Sequence, residues 1–98
     1  MKIMISQPMK GKSTEQIKEE REDLVKKLEA EGHEVVDTVF AKETPKDCNV
    51  AMYYLAMSIE AMSKVDGVVF MSGWGNARGC KIEYQIAKEY GKFIREEK

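Results

Sequence analysis

Four short strand-like stretches alternate along the chain with three helix-like ones, and that alternation constrains the fold more than any other feature. The strand-like stretches are Ile3-Met4-Ile5, the valine-rich stretch from Glu34 to Phe40 that contains Val35, Val36 and Val39, then Val68-Val69-Phe70-Met71, and last Lys92 to Arg95. Ile3-Met4-Ile5, apolar without alternating, suits a strand buried on both faces. Pro8 has no N–H for a ladder, so the first strand stops before it. After it, Ser13-Thr14-Glu15-Gln16 fits a capping box. Ile17, Leu24, Val25 and Leu28 form one helical stripe, and Gly32 ends the helix. Ala41 to Asn49 reads as a loop. Val50 to Lys64 reads as a second helix, whose apolar residues cover more than one face and so predict a partner surface. A third helix runs from about Gly79 to Tyr90, stopped by Gly91. The order β-α-β-α-β-α-β predicts an α/β fold. The arrangement expected is a Rossmann-like, flavodoxin-like three-layer sandwich with a four-stranded parallel sheet in the order 2-1-3-4. Ninety-eight residues make one domain, spanning 1–98.

Composition excludes several functions. Sixteen Lys and Arg nearly cancel seventeen Asp and Glu, leaving a net charge of −1. Such a chain has no global field to hold a nucleic-acid backbone or an anionic membrane, so neither is an expected partner. The longest apolar run, Val50 to Met57, is far short of a membrane span, and the first residues lack a signal-peptide pattern. Cys48 and Cys80 are the only thiols and His33 the only imidazole. These counts rule out a disulfide framework, a four-ligand zinc site and a His-based triad. The expectation is a cytoplasmic, reduced protein without metal or cofactor, in which catalysis rests on carboxylates, hydroxyls or a thiol.

In an open parallel sheet a ligand binds beyond the carboxyl ends of the strands, where the strand order reverses. For the order 2-1-3-4 that point lies between strands one and three. The loops after those strands have the unusual composition. The first, Ser6 to Lys12, holds Gln7-Pro8-Met9 and Gly11; the second holds Gly73-Trp74-Gly75-Asn76-Ala77-Arg78 and runs into Gly79. The G-x-G-x-x-x-G spacing is one residue too long for a dinucleotide fingerprint, and no P-loop is present. Trp74, the only Trp, reads either as an exposed ring that stacks on a planar ligand or as a plug over the sheet end. Arg78, at the start of a helix, reads either as a phosphate partner or as a solvated side chain. On the third helix the slots i, i+3, i+4, i+7, i+8 and i+11 hold Gly79, Ile82, Glu83, Ile86, Ala87 and Tyr90. The one carboxylate on that inward stripe is Glu83, which reads either as a nucleophile or general base in a pocket or as a paired residue at the stripe's edge. Cys80 reads as a packed thiol, His33 as a turn residue, and Asp66 as a turn residue with Gly67.

Four segments carry a resemblance: Lys2-Ile3-Met4-Ile5-Ser6-Gln7-Pro8-Met9, Gly32-His33-Glu34-Val35-Val36, Met62-Ser63-Lys64-Val65-Asp66-Gly67-Val68, and Gly73-Trp74 with Ala77-Arg78-Gly79-Cys80-Lys81-Ile82-Glu83. In order and spacing the chain resembles the nucleoside 2-deoxyribosyltransferase-like proteins, especially the small members found in bacteria and their phages. The resemblance implies a Rossmann-like sheet, a nucleoside or nucleotide ligand, cleavage or exchange of an N-glycosidic bond, and a dimer or larger oligomer. It places the nucleophilic glutamate on Glu83. Three positions depart from the family's pattern. Met4 stands where active members usually have Tyr, Ser58 where they have Asp, and Gln7 where Gly is common. Tyr53, Tyr54 and Asp66 are the residues available to stand in for the missing helpers.

Three functions emerge as expectations. The first is an N-glycoside hydrolase or nucleoside deoxyribosyltransferase acting through Glu83, with Ser6, Gln7, Pro8, Met9, Ser58, Asp66, Gly73, Trp74, Arg78 and Gly79 at the ligand. The second is a catalytically silent module that senses or sequesters a nucleotide, for example in phage–host conflict. The third is an interaction domain built on the apolar second helix. In a chain this short, a second subunit is expected to complete the crevice, giving a homodimer or higher homo-oligomer.

Overall fold

The computed structural model describes residues 1–38 and 45–97. Val39 and Phe40 of the expected second strand, and the first part of the expected loop, lie outside the described residues. The elements are β1 (Lys2–Ser6), α1 (Thr14–Ala30), β2 (Glu34–Val36), α2 (Val50–Met62), β3 (Gly67–Phe70), a 3-10 turn (Trp74–Asn76), α3 (Arg78–Glu89) and β4 (Phe93–Glu96). The strands form one sheet in the order β2-β1-β3-β4, and every pairing is parallel. The predicted fold class and strand order are those observed.

Local sequence explains how α1 starts and stops. Ser13 Oγ accepts from the Gln16 backbone N–H, and Gln16 Oε1 accepts from the Ser13 N–H, so the capping box is complete. At the other end Gly32 takes a φ of +93°, a left-handed conformation that a residue without Cβ adopts freely.

Strand alternation divides the core into two layers. On one face Ile3, Ile5 and Val69 pack with Leu24 and Leu28 of α1. On the other Met4, Val68 and Phe70 pack with Met62, Val65 and Ala87. Each fully buried side chain of this size stabilises the fold by roughly 1.5–3 kcal/mol. The β3–β4 approach is tight, because a Cβ at Gly67 would lie 3.0 Å from Phe93 Cβ, Cδ1 and O. Of α2 only Met62 is buried, while Val50 and Met52 stand exposed.

The third helix corrects one expectation. Its inward residues are Cys80, Glu83 and Ala87, with Tyr84 and Ile86 half-buried. Ile82 and Tyr90, expected inside, are 39 % and 79 % exposed. The aromatic packing of Tyr84 on Phe70 and Trp74 accounts for this rotation, since it turns the Cys80–Tyr84 line toward the sheet. Glu83 is inward under either rotation.

Candidate functional site

Strand β1 ends at Ser6, which is paired with Phe70, the last residue of β3. The carboxyl ends of these two neighbours form the point where the strand order reverses. The loops beyond them meet there, since a Cβ on Gly73 would sit 3.8 Å from Pro8 Cγ. Gly73 itself has a φ of +88°, which lets the chain turn sharply from β3 into the 3-10 turn.

Alternation sends Ser6 to the α3 side of the sheet and Gln7 to the α1 side. Ser6 Oγ donates to Glu83 Oε2 at 3.2 Å, and both residues are buried. Glu83 is 7 % exposed. Burial pushes its carboxyl up from 4.5 to about 7, with the Ser6 hydrogen bond and the Arg21 charge pulling the other way. The ionised and protonated forms therefore coexist near neutral pH, which suits a nucleophile or an acid–base group. Cys80, one turn earlier on α3, also reaches the Ser6 hydroxyl, and burial pushes its thiol up, away from thiolate chemistry. The packed-thiol reading of Cys80 agrees with its 3 % exposure.

Other expected ligand residues take varied places. Gln7 is buried and held by the protein: its Nε2 donates to Ile17 O at 3.0 Å and its Oε1 accepts from Arg21 Nε at 2.8 Å. Pro8 and Gly79 are half-buried, and Met9, Gly73 and Arg78 are exposed at the same end of the sheet. Trp74 is half-buried rather than exposed. Its ring stacks on Tyr84 at 4.4 Å and 12°, and Phe70 lies 5.5 Å away, so one indole face is already covered. Asp66 lies at the opposite, amino end of β3, where its Oδ2 accepts from the Lys2 N–H at 2.8 Å. That places it away from Glu83. Ser58 is half-buried on α2, and no hydrogen bond joins it to Glu83. Tyr53 lines a groove of about 430 Å³ with Lys2, Val36, Met57 and Lys64, and a second groove of about 550 Å³ runs between α1 and β2. Glu83 lines neither of these two grooves, and what marks its place is a buried carboxyl at the strand ends.

Sequence reasoning missed Arg21, Thr38 and Tyr84. Arg21 is buried on the α1 stripe between Ile17 and Leu24, and its Nη1 donates to Thr38 Oγ1 at 3.2 Å. A cation on an apolar stripe was the available signal, of the same kind that drew attention to Glu83. Thr38 and Tyr84 carry no comparable sequence signal. Among the described residues, no group of three or more His, Cys, Asp and Glu side chains is placed to hold a metal ion, and no helix is long and apolar enough to cross a membrane.

The family model described as Domain of unknown function (DUF4406) matches residues 1–96, and the chain belongs to that family. No curated protein and no solved structure matches the chain.

Proposed function

For this DUF4406 domain we propose binding of a nucleoside or nucleotide and cleavage or transfer of its N-glycosidic bond through Glu83. The observation that carries the reading is the buried Glu83 carboxyl, hydrogen-bonded to Ser6 at the point where the strand order reverses. The likeness to nucleoside 2-deoxyribosyltransferase-like proteins, drawn from the sequence, supplies the bond type. In this scheme a Glu83 oxygen attacks the anomeric carbon. The C–N bond breaks with its electron pair leaving on the base, which takes up a proton from the solvent. The resulting glycosyl ester is resolved by water, or by a second base that re-forms an N-glycoside and frees the carboxylate. The base lies at the Trp74 and Met9 end of the crevice. A second copy packs on the exposed apolar residues of α2, Val50 and Met52 among them.

Incubation with a panel of nucleosides and nucleotides, with chromatography of the free base, tests the reading. Release is expected from the wild-type protein and not from Glu83→Gln. Mass spectrometry of the quenched reaction is expected to find a glycosyl adduct on Glu83. Absence of free base from every substrate would refute the enzyme.

One observation favours a second reading, a nucleotide-binding module that leaves its ligand intact. Met4, at the position where active members of the resembled family usually have Tyr, is fully buried among Val65, Val68 and Phe70. It offers no hydroxyl to the site. Tight binding with ligand recovered unchanged after long incubation is the outcome that separates this reading from the first.

A further inference from the structure

Arg21 is 6 % exposed on a stripe whose other buried members are Ile17, Leu24 and Leu28. A buried cation is costly unless countercharge and hydrogen bonds offset its lost hydration. Among the described residues its hydrogen-bond partners, Gln7 and Thr38, are neutral, and its buried Nη2 has no hydrogen-bond partner. The negative charges acting on it belong to Asp37, just after β2, and to Glu83, on the opposite face of the sheet.

The hydrogen bonds have a common target. Arg21 Nε holds Gln7 Oε1 at 2.8 Å, while Arg21 Nη1 holds Thr38, whose hydroxyl in turn donates to Ile5 O at 3.2 Å. Ile5 and Gln7 flank Ser6, the residue that donates to Glu83. One guanidinium thus grips the chain on both sides of the serine from the α1 face, while the serine works on the α3 face.

We propose that Arg21 is a positioning residue for Glu83: it fixes the end of β1 that presents the Ser6 hydroxyl to the carboxyl. Its charge, across the strand from Glu83, acts on the same carboxyl. The proposal rests on the reading of Glu83 as the reacting group. The groups acting on Glu83 are Ser6 from β1 and Arg21 from α1, with the neutral Cys80 thiol nearby on its own helix; Asp37 competes for Arg21. Loss of the cation leaves desolvation less opposed, so the carboxyl titrates higher.

The test is a 13C NMR titration of the Glu83 carboxyl, with its signal assigned by its disappearance in Glu83→Gln. In Arg21→Met the proton affinity of Glu83 is expected to rise about tenfold, one pH unit, and in Arg21→Lys to return at least halfway. A change of less than about twofold in Arg21→Met overturns the proposal. A second measurement needs no Arg21 variant. In the wild-type protein the Arg21 Nε–H resonance is expected to titrate with the Glu83 midpoint, and in Glu83→Gln to become flat across that range. A resonance that ignores Glu83 also overturns the proposal. Neither readout requires turnover, so a failure of the N-glycoside reading and a failure of the Arg21 role are distinguishable. Where base release is found, the acid limb of kcat/KM moves upward in Arg21→Met by the same factor as the titration.

Discussion

Ser6 and Glu83 stand 77 residues apart in the chain and share a buried hydrogen bond of 3.2 Å. The hydroxyl donates to the carboxylate, so it favours the ionised form. In Ser6→Ala this support is removed while the space is nearly kept. The Glu83 midpoint is expected to rise above its value of about 7, and any base release at neutral pH to fall. Carboxyl NMR and a substrate assay check the two halves. Global stability, read by urea unfolding, is expected to fall by about 1–3 kcal/mol, the cost of leaving a buried acceptor without its donor.

Glu83 also makes stability depend on pH in a stated direction. Its folded value, about 7, is raised above the ordinary 4.5. The folded state therefore holds this proton more tightly than the unfolded chain. Its stabilising contribution is full below pH 4.5 and is lost as pH rises through 7. Glu83→Gln removes the ionisation. The variant is expected to gain on the wild type as pH rises from 5 to 8, by on the order of 3 kcal/mol at the upper end. Urea midpoints across that range measure it, and a gap that stays constant with pH would contradict the assignment.

Trp74 and Tyr84 stack at 4.4 Å over the end of β3. A double-mutant cycle with Trp74→Ala and Tyr84→Ala is expected to give a coupling of about 0.5–1.5 kcal/mol in unfolding. Additive losses would show that the pair does not stabilise the turn. Because Trp74 is the only Trp, its emission also reports directly on the loop after β3. A nucleotide that enters the crevice is expected to change that emission in the wild-type protein and equally in Glu83→Gln.

Gly67 and Gly75 provide a matched pair. A Cβ at Gly67 would meet Phe93 at 3.0 Å, whereas nothing lies within 4 Å of one at Gly75. Gly67→Ala forces β3 and β4 apart and is expected to cost about 1–3 kcal/mol. Gly75→Ala is expected to stay within about 0.5 kcal/mol of the wild type. Thermal unfolding of both variants checks the contrast.

The sheet was legible because its signals are local and repeated. Ile3-Met4-Ile5 and Val68-Val69-Phe70 can only be buried, Ser13 and Gln16 cap the helix between β1 and β2, and the topology rules then leave few arrangements. Glu83 was legible because a carboxylate broke an apolar stripe. The partners around it were not. Gln7 lies next to Ser6 in sequence but on the other face, and its bonds go to Ile17 and Arg21. Asp66 came into the ligand set only through the resemblance, and it precedes β3 at the end of the strand opposite Glu83. Tyr84 turned α3 away from the pattern read from Ile82 and Tyr90, since contact with Trp74 outweighs apolar periodicity on a helix that meets the sheet on one side.

Ser6 and Gln7 are consecutive, one committed to Glu83 and the other to Arg21. A single residue deleted within β1 would bring the Gln7 amide to the carboxylate, and one inserted would bring the Ser6 hydroxyl to the guanidinium; either change parts Ser6 from Glu83 and Gln7 from Arg21. The pairing of Met4 with Val68 and Ile5 with Val69 is therefore as much a specification of the chemistry as of the fold. Side-chain substitutions can tune this site one group at a time, but a shift in the length of its central strand would dismantle both halves together.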